Sequence, residues 1–479
     1  MAMKQPILVG GLGLTAALGI FQTVHHSLVN VGDWTMLGVL AAGGIAWWLQ
    51  EMQKPFLPTM TSILTKEALE EGILKAETAI SALEAETESL DSNAKAAINL
   101  VCGNLREKTA KLATELERTE IRIAVAGGKG SGKSTLIKLL QENWQKQQEQ
   151  KLIFTEIPAL FSDINCTFQA DLVLFLTTGD ITDPEFQVIQ LLKNSGLRTL
   201  LLWNKQDLCL PEERGSVLKQ QQIRLQETLN FEDVMAISTM PVPVKVRRYL
   251  EDGSSQEWME EQTPQISGLT GRLNEILEKE AQQLIYSGTF NDINSIKCEA
   301  KNLLNKVRQE RALPIIEQSQ WIAAAAAFAN PVPALDLLAT GAITAQLVVD
   351  LGGIYKQQFS LDQAKTVAGT MAEFMFKLGL VELSTQTVTH ILKSNAITFV
   401  AGGAVQGVSA AYLTRIAGLS LIEYFQEQEI SAAENRGFNF EKLKNTLQGV
   451  FQQNQRKEFL QSFVRQGIGR LMPDAKVPV

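Results

Sequence analysis

Ile121-Arg122-Ile123-Ala124-Val125-Ala126-Gly127-Gly128-Lys129-Gly130-Ser131-Gly132-Lys133-Ser134-Thr135 is the stretch that decides the fold of this chain. Its first half, with Glu120 ahead of it, alternates and is β-branched, which predicts a strand. Gly127–Ser134 is glycine-rich, and Thr135 to Leu140 then reads as a helix. Strand, glycine loop, Lys-Ser and helix in that order is the context a phosphate-binding loop requires. Without Cβ atoms in the way, backbone N–H groups wrap phosphates at the positive end of a helix. The cradle is then Gly127, Gly128, Lys129, Gly130, Ser131, Gly132, Lys133, Ser134 and Thr135. Lys133 bridges the β- and γ-phosphates, and Ser134 supplies a hydroxyl to Mg²⁺.

A second motif lies downstream. Arg198-Thr199-Leu200-Leu201-Leu202-Trp203 reads as a buried strand and ends in Asn204-Lys205-Gln206-Asp207. The Asp207 carboxylate can accept two hydrogen bonds, from N1–H and the N2 amino group of guanine. Adenine lacks both donors and would leave the carboxylate unpaired. Asn204 ties this loop to the phosphate loop, and the Lys205 stem stacks on the base. The expected ligands are GTP or GDP with Mg²⁺.

At 479 residues the chain has room for several domains, and its 45% hydrophobic and 20% charged content is that of a folded protein. A net charge of −8 argues against a nucleic-acid partner, which would demand a basic face. The basic run Lys297 to Arg311 contains Glu299 and Glu310 and reads as a solvated helix face. Cys102, Cys166, Cys209 and Cys298 are scattered without paired spacing, which fits a reducing compartment and no metal or disulfide framework. Asp183-Pro184-Glu185 and Glu212-Glu213 read as helix starts, not as acid–base pairs.

Outside the central region the chain becomes apolar and helical. Ile7 to Val24 and Trp34 to Leu49 are uncharged runs joined by a polar loop, with Lys4 and Lys54 outside the pair. They predict a transmembrane hairpin with both ends cytoplasmic, and Trp34, Trp47 and Trp48 sit where an interfacial belt would place them. The competing reading is a signal peptide, but no clear small-x-small cleavage site follows. From Thr61 to Arg118, Leu69, Ile73, Ala76, Ile80, Leu83, Leu90, Ala94, Ala97 and Val101 recur on one helix face, with a break at Asp91-Ser92-Asn93. Val244 to Leu250 with Asp252-Gly253 predicts one arm and the turn of a surface hairpin. A charged helix over about Asn291–Arg311 precedes Trp321 and an alanine run. Of the apolar stretches Ala334–Val349, Val367–Leu380 and Ala396–Leu413, the last is uncharged and long enough to span a membrane.

With these motifs the chain resembles the translation-factor-like GTPases, the class of Era, EngA, the immunity-related GTPases and the dynamins, over roughly residues 120–285. The resemblance implies a mostly parallel, doubly wound α/β P-loop domain. It makes Asp171 to Asp180 the fourth strand of the class and Val234 to Thr239 its last. Ser238 and Thr239 then fall in the base-binding loop. The departures are equally specific. The strand Lys151 to Thr155 follows Lys133 so closely that there is little room for the first switch loop. The D-x-x-G position reads Glu156-Ile157-Pro158-Ala159, which makes Glu156 the second metal residue and puts Leu160 where water is often oriented. No catalytic residue is assigned, and intrinsic hydrolysis is expected to be slow or absent. Trp321 to Phe425 also resembles the YcjF-like helical domain, through the alanine run into Asn330-Pro331-Val332-Pro333, Asp336, Gly341 and the Gln346–Tyr355 helix.

The expected organisation is a transmembrane hairpin over 1–55, a helical stalk over 56–118, a GTPase domain over 119–285 and a helical, membrane-associated domain over 286–479. The expected function is a membrane-anchored, Era- or dynamin-like guanine-nucleotide-binding protein. Its partners are the lipid membrane and further copies of itself, and its termini and G domain are cytoplasmic. A non-hydrolysing nucleotide-binding scaffold is the alternative. A translocator built from the C-terminal segments rests on hydropathy alone.

Overall fold

The computed structural model describes residues 64–88, 92–148, 150–157, 169–249, 255–329, 333–394, 402–427 and 438–472. The expected transmembrane hairpin, together with Pro158, Ala159 and Leu160, lies outside the described residues. Two helices, α1 (Lys66–Thr87) and α2 (Ser92–Glu115), lead into β1 (Ile121–Gly127), α3 (Lys133–Asn143), β2 (Leu152–Glu156) and β3 (Leu172–Thr177). Then come α4 (Asp183–Asn194), β4 (Arg198–Trp203), α5 (Pro211–Leu225), β5 (Val234–Ala236) and the hairpin β6 (Val244–Tyr249) with β7 (Ser255–Glu260). The remainder is helical: α6 (Ser267–Ala329), α7 (Pro333–Ile354), α8 (Leu361–Lys377), α9 (Leu380–Ser394), α10 (Gly402–Gln426), α11 (Phe440–Gln453) and α12 (Lys457–Leu471).

The first five strands form one parallel sheet in the order β2-β1-β3-β4-β5. Successive side chains of a strand point to opposite faces, and both faces of this sheet are covered. Ile121, Ile123 and Val125 of β1, with Leu172, Leu174 and Leu176 of β3, meet Leu136 and Leu140 of α3 and Leu269, Leu273 and Ile276 of α6. Ala124, Ala126, Val173 and Phe175 face Val188, Ile189 and Leu192 of α4 and Leu225 of α5. This double burial is why the strands read as continuous apolar runs. Helix α4 is capped by Thr182 in a capping box with Glu185, one residue ahead of the expected start.

Helix α6 is the spine of the molecule. Its 63 residues reach roughly 95 Å at 1.5 Å per residue. Leu269 to Ile285 belong to the core under the sheet. Ile293, Ile296, Ala300, Leu304 and Val307 form a second core with Leu69, Ile80 and Leu83 of α1 and Cys102, Leu105 and Leu112 of α2. Ala312, Ile316 and Ala324 enter a third core with α7 to α12. The charged helix expected to end near Arg311 therefore continues through Pro314. Pro314 removes one backbone donor, but Pro314 and Glu310, whose carbonyl would accept it, both lie on the exposed side. Water can satisfy that carbonyl while Ala312 and Ile316 stay packed.

In the third core, α10 lies close against α6. A Cβ on Gly407 would fall 2.9 Å from the Ala324 carbonyl oxygen, and one on Gly418 would fall 2.7 Å from Ile316 Cγ1. Among the described residues, Gly403–Gln426 is the helix long and apolar enough to cross a membrane, and most of it is buried inside the bundle. The core of a helical bundle imposes the same apolar composition as lipid.

A buried ionic network joins the sheet to α6. Asp171, fully buried at the start of β3, accepts from Arg118 Nη2, from the Arg122 backbone N–H at 2.7 Å and from Arg122 Nη2 at 3.4 Å. Arg122 Nη2 also reaches Asp292 Oδ2 of α6 at 2.8 Å. Burial opposes the charge on Arg122, but Asp171 and Asp292 outweigh it and raise its pKa. Burial pushes the Asp292 carboxyl above its ordinary range despite the pull of Arg122.

Candidate functional site

The phosphate-loop and base-loop residues come together at the carboxyl ends of β1, β2 and β4, where open parallel sheets bind ligands. Gly127 has φ +142°, and a Cβ there would meet the Leu176 carbonyl oxygen at 2.4 Å. Gly132 has φ +99° and precedes the first residue of α3; its Cβ would fall 2.2 Å from Asn204 Nδ2. Both positions require glycine, for backbone conformation and for space. Lys133 is almost fully buried, and its Nζ donates to the carbonyl oxygens of Gly127 and Gly128, each at 3.1 Å. The lysine is thus folded onto the loop it would serve. Ser131 is buried as well, and its hydroxyl has no partner among the described residues. Gly128, Lys129 and Gly130 form the turn ahead of the helix, and Thr135 lies in the first turn of α3.

Asn204 has no exposed surface and locks the two loops together. Its Nδ2 donates to the Ser131 carbonyl oxygen at 2.8 Å and to Thr239 Oγ1 at 3.0 Å, while its Oδ1 accepts from Thr239 N at 3.0 Å. Lys205 has φ +62°, the left-handed region that non-glycine residues rarely enter and that concentrates at functional loops. Asp207 accepts from Ser238 Oγ on one oxygen and from the Val242 backbone N–H at 3.0 Å on the other. Partial burial alone would raise the Asp207 pKa, but these hydrogen bonds prevail and lower it. The carboxylate is therefore ionised and held in place, with lone pairs remaining for a base edge. Ser238 is anchored in turn by reciprocal backbone bonds with Gln265, at 3.1 and 2.8 Å.

Asn204→Ala is expected to weaken guanine-nucleotide binding about a hundredfold, because it strands buried partners worth roughly 1–3 kcal/mol each. Titration with a fluorescent GDP analogue measures it; an unchanged affinity would mean that the two loops need no tie.

Ser134 Oγ donates to Glu156 Oε2 at 2.7 Å, and Lys133 Nζ lies 4.0 Å from Glu156 Oε1. A hydroxyl and a carboxylate converging beside the phosphate loop fit a hard cation. No cluster of three or more His, Cys, Asp or Glu side chains able to hold a metal occurs among the described residues. Phosphate and water would therefore complete the coordination of Mg²⁺, the usual arrangement for this ion. The chain passes from α3 to β2 through a single 3₁₀ turn, Gln145–Gln147, and no strand intervenes among the described residues. Sequence reasoning missed the Val242 contact to Asp207, since a backbone donor leaves no signal in residue identity. It also missed Gln221, which is buried and donates to the Gly179 carbonyl oxygen at 2.9 Å.

Two family models match parts of the chain. The KAP family P-loop domain matches residues 102–175, which takes in the phosphate loop and Glu156 and stops before Asn204. A domain of unknown function, DUF697, matches residues 292–456 and covers the YcjF-like resemblance. The two matches fall on separate parts of the chain, one around the phosphate loop and one on the C-terminal helices. No curated protein matches it. Among solved structures, LeoA, a bacterial dynamin GTPase from ETEC, is 11% identical, with 85% of this chain and 89% of that chain covered at a TM-score of 0.22. At that score the likeness decides neither fold nor function.

Proposed function

We propose that this chain is a membrane-anchored guanine-nucleotide-binding protein, in which nucleotide state is coupled to self-association or membrane shape. The carrying observation is Asp207, an ionised carboxylate fixed by Ser238 and Val242 on a loop that Asn204 ties to the phosphate cradle. In this reading the cradle from Gly127 to Thr135, with Asn204, Lys205, Asp207, Ser238 and Thr239, binds the nucleotide. Ser134 and Glu156 hold Mg²⁺, which would neutralise phosphate charge. In this reading a nucleotide domain over 119–285 works between a stalk and a C-terminal helical domain. Helix α6 is the route between them, because it contributes to all three cores. The membrane anchor rests on the sequence of residues 7–49, with the nucleotide domain on the cytoplasmic side.

The alternative, a scaffold that binds GTP or GDP without turnover, is favoured by the short connection before β2. Residues 144–151 contain no Thr or Ser to act as a switch hydroxyl. Multiple-turnover hydrolysis of GTP by the full chain in liposomes separates the two. Lipid-stimulated turnover supports the cycling reading, and stoichiometric binding without turnover supports the scaffold. Glu156→Ala is expected to weaken the Mg²⁺-dependent part of GTP affinity about tenfold and to leave metal-free GDP binding unchanged. Equal losses with and without Mg²⁺ would remove Glu156 from the metal site.

A further inference from the structure

The β6–β7 hairpin leaves the nucleotide domain two residues after Val242, and its described side chains are all exposed except half-buried Val246. An isolated two-stranded ribbon is marginal in water and gains stability only by packing on something. Its two faces differ. On one, Lys245 and Arg247 both pair with Glu257, so those charges are satisfied within the ribbon. The other carries Val244, Val246 and Arg248 opposite Glu260, Trp258 and Gln256, respectively. Trp258 is 43% exposed and Val244 50% exposed. Among the described residues neither Arg248 nor Glu260 has an ion-pair partner. The face has an apolar centre, an unpaired cation towards its tip and an unpaired anion at its base.

That pattern is self-complementary. A two-fold axis across the ribbon at the Val246/Trp258 pair would stack the apolar centre on its own copy. The same axis would bring the base of one ribbon to the tip of the other. Glu260 would then lie across the roughly 10 Å between stacked faces from the partner's Arg248, offset by one strand spacing of about 4.8 Å, a gap that an arginine and a glutamate side chain span together. The face carries one charge of each sign, so it offers no net attraction to an anionic lipid surface. Leu208, Met240 and Val242, around the base loop from which the hairpin leaves, are exposed as well. We propose that the Val244/Trp258 face of this hairpin is a homotypic docking surface on which two copies of the chain meet about a two-fold axis. The proposal rests on the self-association reading above and names its contact. The Val242 N–H bond to Asp207 ties the foot of the hairpin to the base site, so the surface answers to nucleotide occupancy.

Sedimentation velocity of the full-length chain in detergent micelles, with GDP and with a non-hydrolysable GTP analogue, tests it. R248E and E260R are each expected to weaken self-association about tenfold or more, and W258D to abolish it. The double variant R248E/E260R recreates the pair with its signs exchanged, and is expected to return to within about threefold of the parent. These side chains are exposed, so affinity for a fluorescent GTP analogue, measured at concentrations low enough for the parent to be monomeric, should be unchanged in all four. Rescue by the exchange supports the surface even if nucleotide binding is absent, in which case only the nucleotide link falls. Intact nucleotide binding with masses indifferent to all four variants overturns it. Losses that the exchange does not restore overturn it as well.

Discussion

Gly288→Ala is expected to destabilise the nucleotide domain strongly, because its added methyl has the closest clash of any described glycine. Helix α6 crosses the start of β3 at Gly288, where a Cβ would fall 1.8 Å from Asp171 Oδ1 and 3.0 Å from the Ala170 carbonyl oxygen. Asp171 cannot move aside cheaply, because it is fully buried and holds Arg118, Arg122 and the backbone at Arg122. Either the helix lifts away from the sheet or the network breaks and leaves buried charge uncompensated. Breaking such a pair costs about 3–5 kcal/mol. The expected fall in unfolding temperature is on the order of 10 °C at roughly 2–4 °C per kcal/mol. Gly271→Ala on the same helix is the control, since nothing lies within 4 Å of its Cβ position. Helix propensity alone favours alanine at both sites by about 1 kcal/mol. Thermal unfolding of the full chain by tryptophan fluorescence checks this. Equal midpoints for the two variants would mean that α6 does not seat on β3 at Gly288.

Asp207→Asn is expected to change which base is bound, with the fold kept. In the parent, both carboxylate oxygens accept, from Ser238 Oγ and from the Val242 N–H. Asparagine can keep its oxygen on Val242 and turn its amide towards Ser238, whose hydroxyl also accepts. It then presents one acceptor and one donor to the base edge, and the guanine N2 amino group loses its partner. GTP affinity should fall about a hundredfold or more, while xanthine nucleotides, with a carbonyl in place of that amino group, should gain. Competition between GTP and XTP for the variant gives the ratio; an unchanged preference for GTP would remove Asp207 from base recognition. The pH dependence follows from the same contacts. A depressed carboxyl pKa keeps charge at Asp207 down to below its ordinary value of 3.8, so its contribution is lost only as pH falls through the depressed value. Selectivity for GTP should therefore be flat between about pH 8 and about pH 5.

The parts of this architecture that were legible in the sequence are those encoded locally. The run from Ile121 to Thr135 carries its strand, turn and helix signals within a few residues, and Arg198 to Asp207 does the same. The first arm of the β6–β7 hairpin was announced by alternation from Val244; the expected turn at Asp252-Gly253 lies outside the described residues. What joins distant segments was not legible. Arg118, Arg122, Asp171 and Asp292 are each unremarkable in sequence, and only packing brings them together over one glycine. Continuity of α6 through Pro314 depended on which side of the helix faces water, information that a three-dimensional neighbourhood holds and a local pattern lacks. Apolar α10 read equally well as a membrane span, since a bundle interior and a bilayer select the same residues.

Equilibrium binding of GTP, GDP and ATP to the full-length chain with Mg²⁺, beside Lys133→Ala, tests the central claim most directly. The account predicts that GTP and GDP bind, that ATP binds at least about a hundredfold more weakly, and that Lys133→Ala abolishes binding of GTP. Equal affinity for ATP and GTP, or no nucleotide binding by the parent chain, would contradict it.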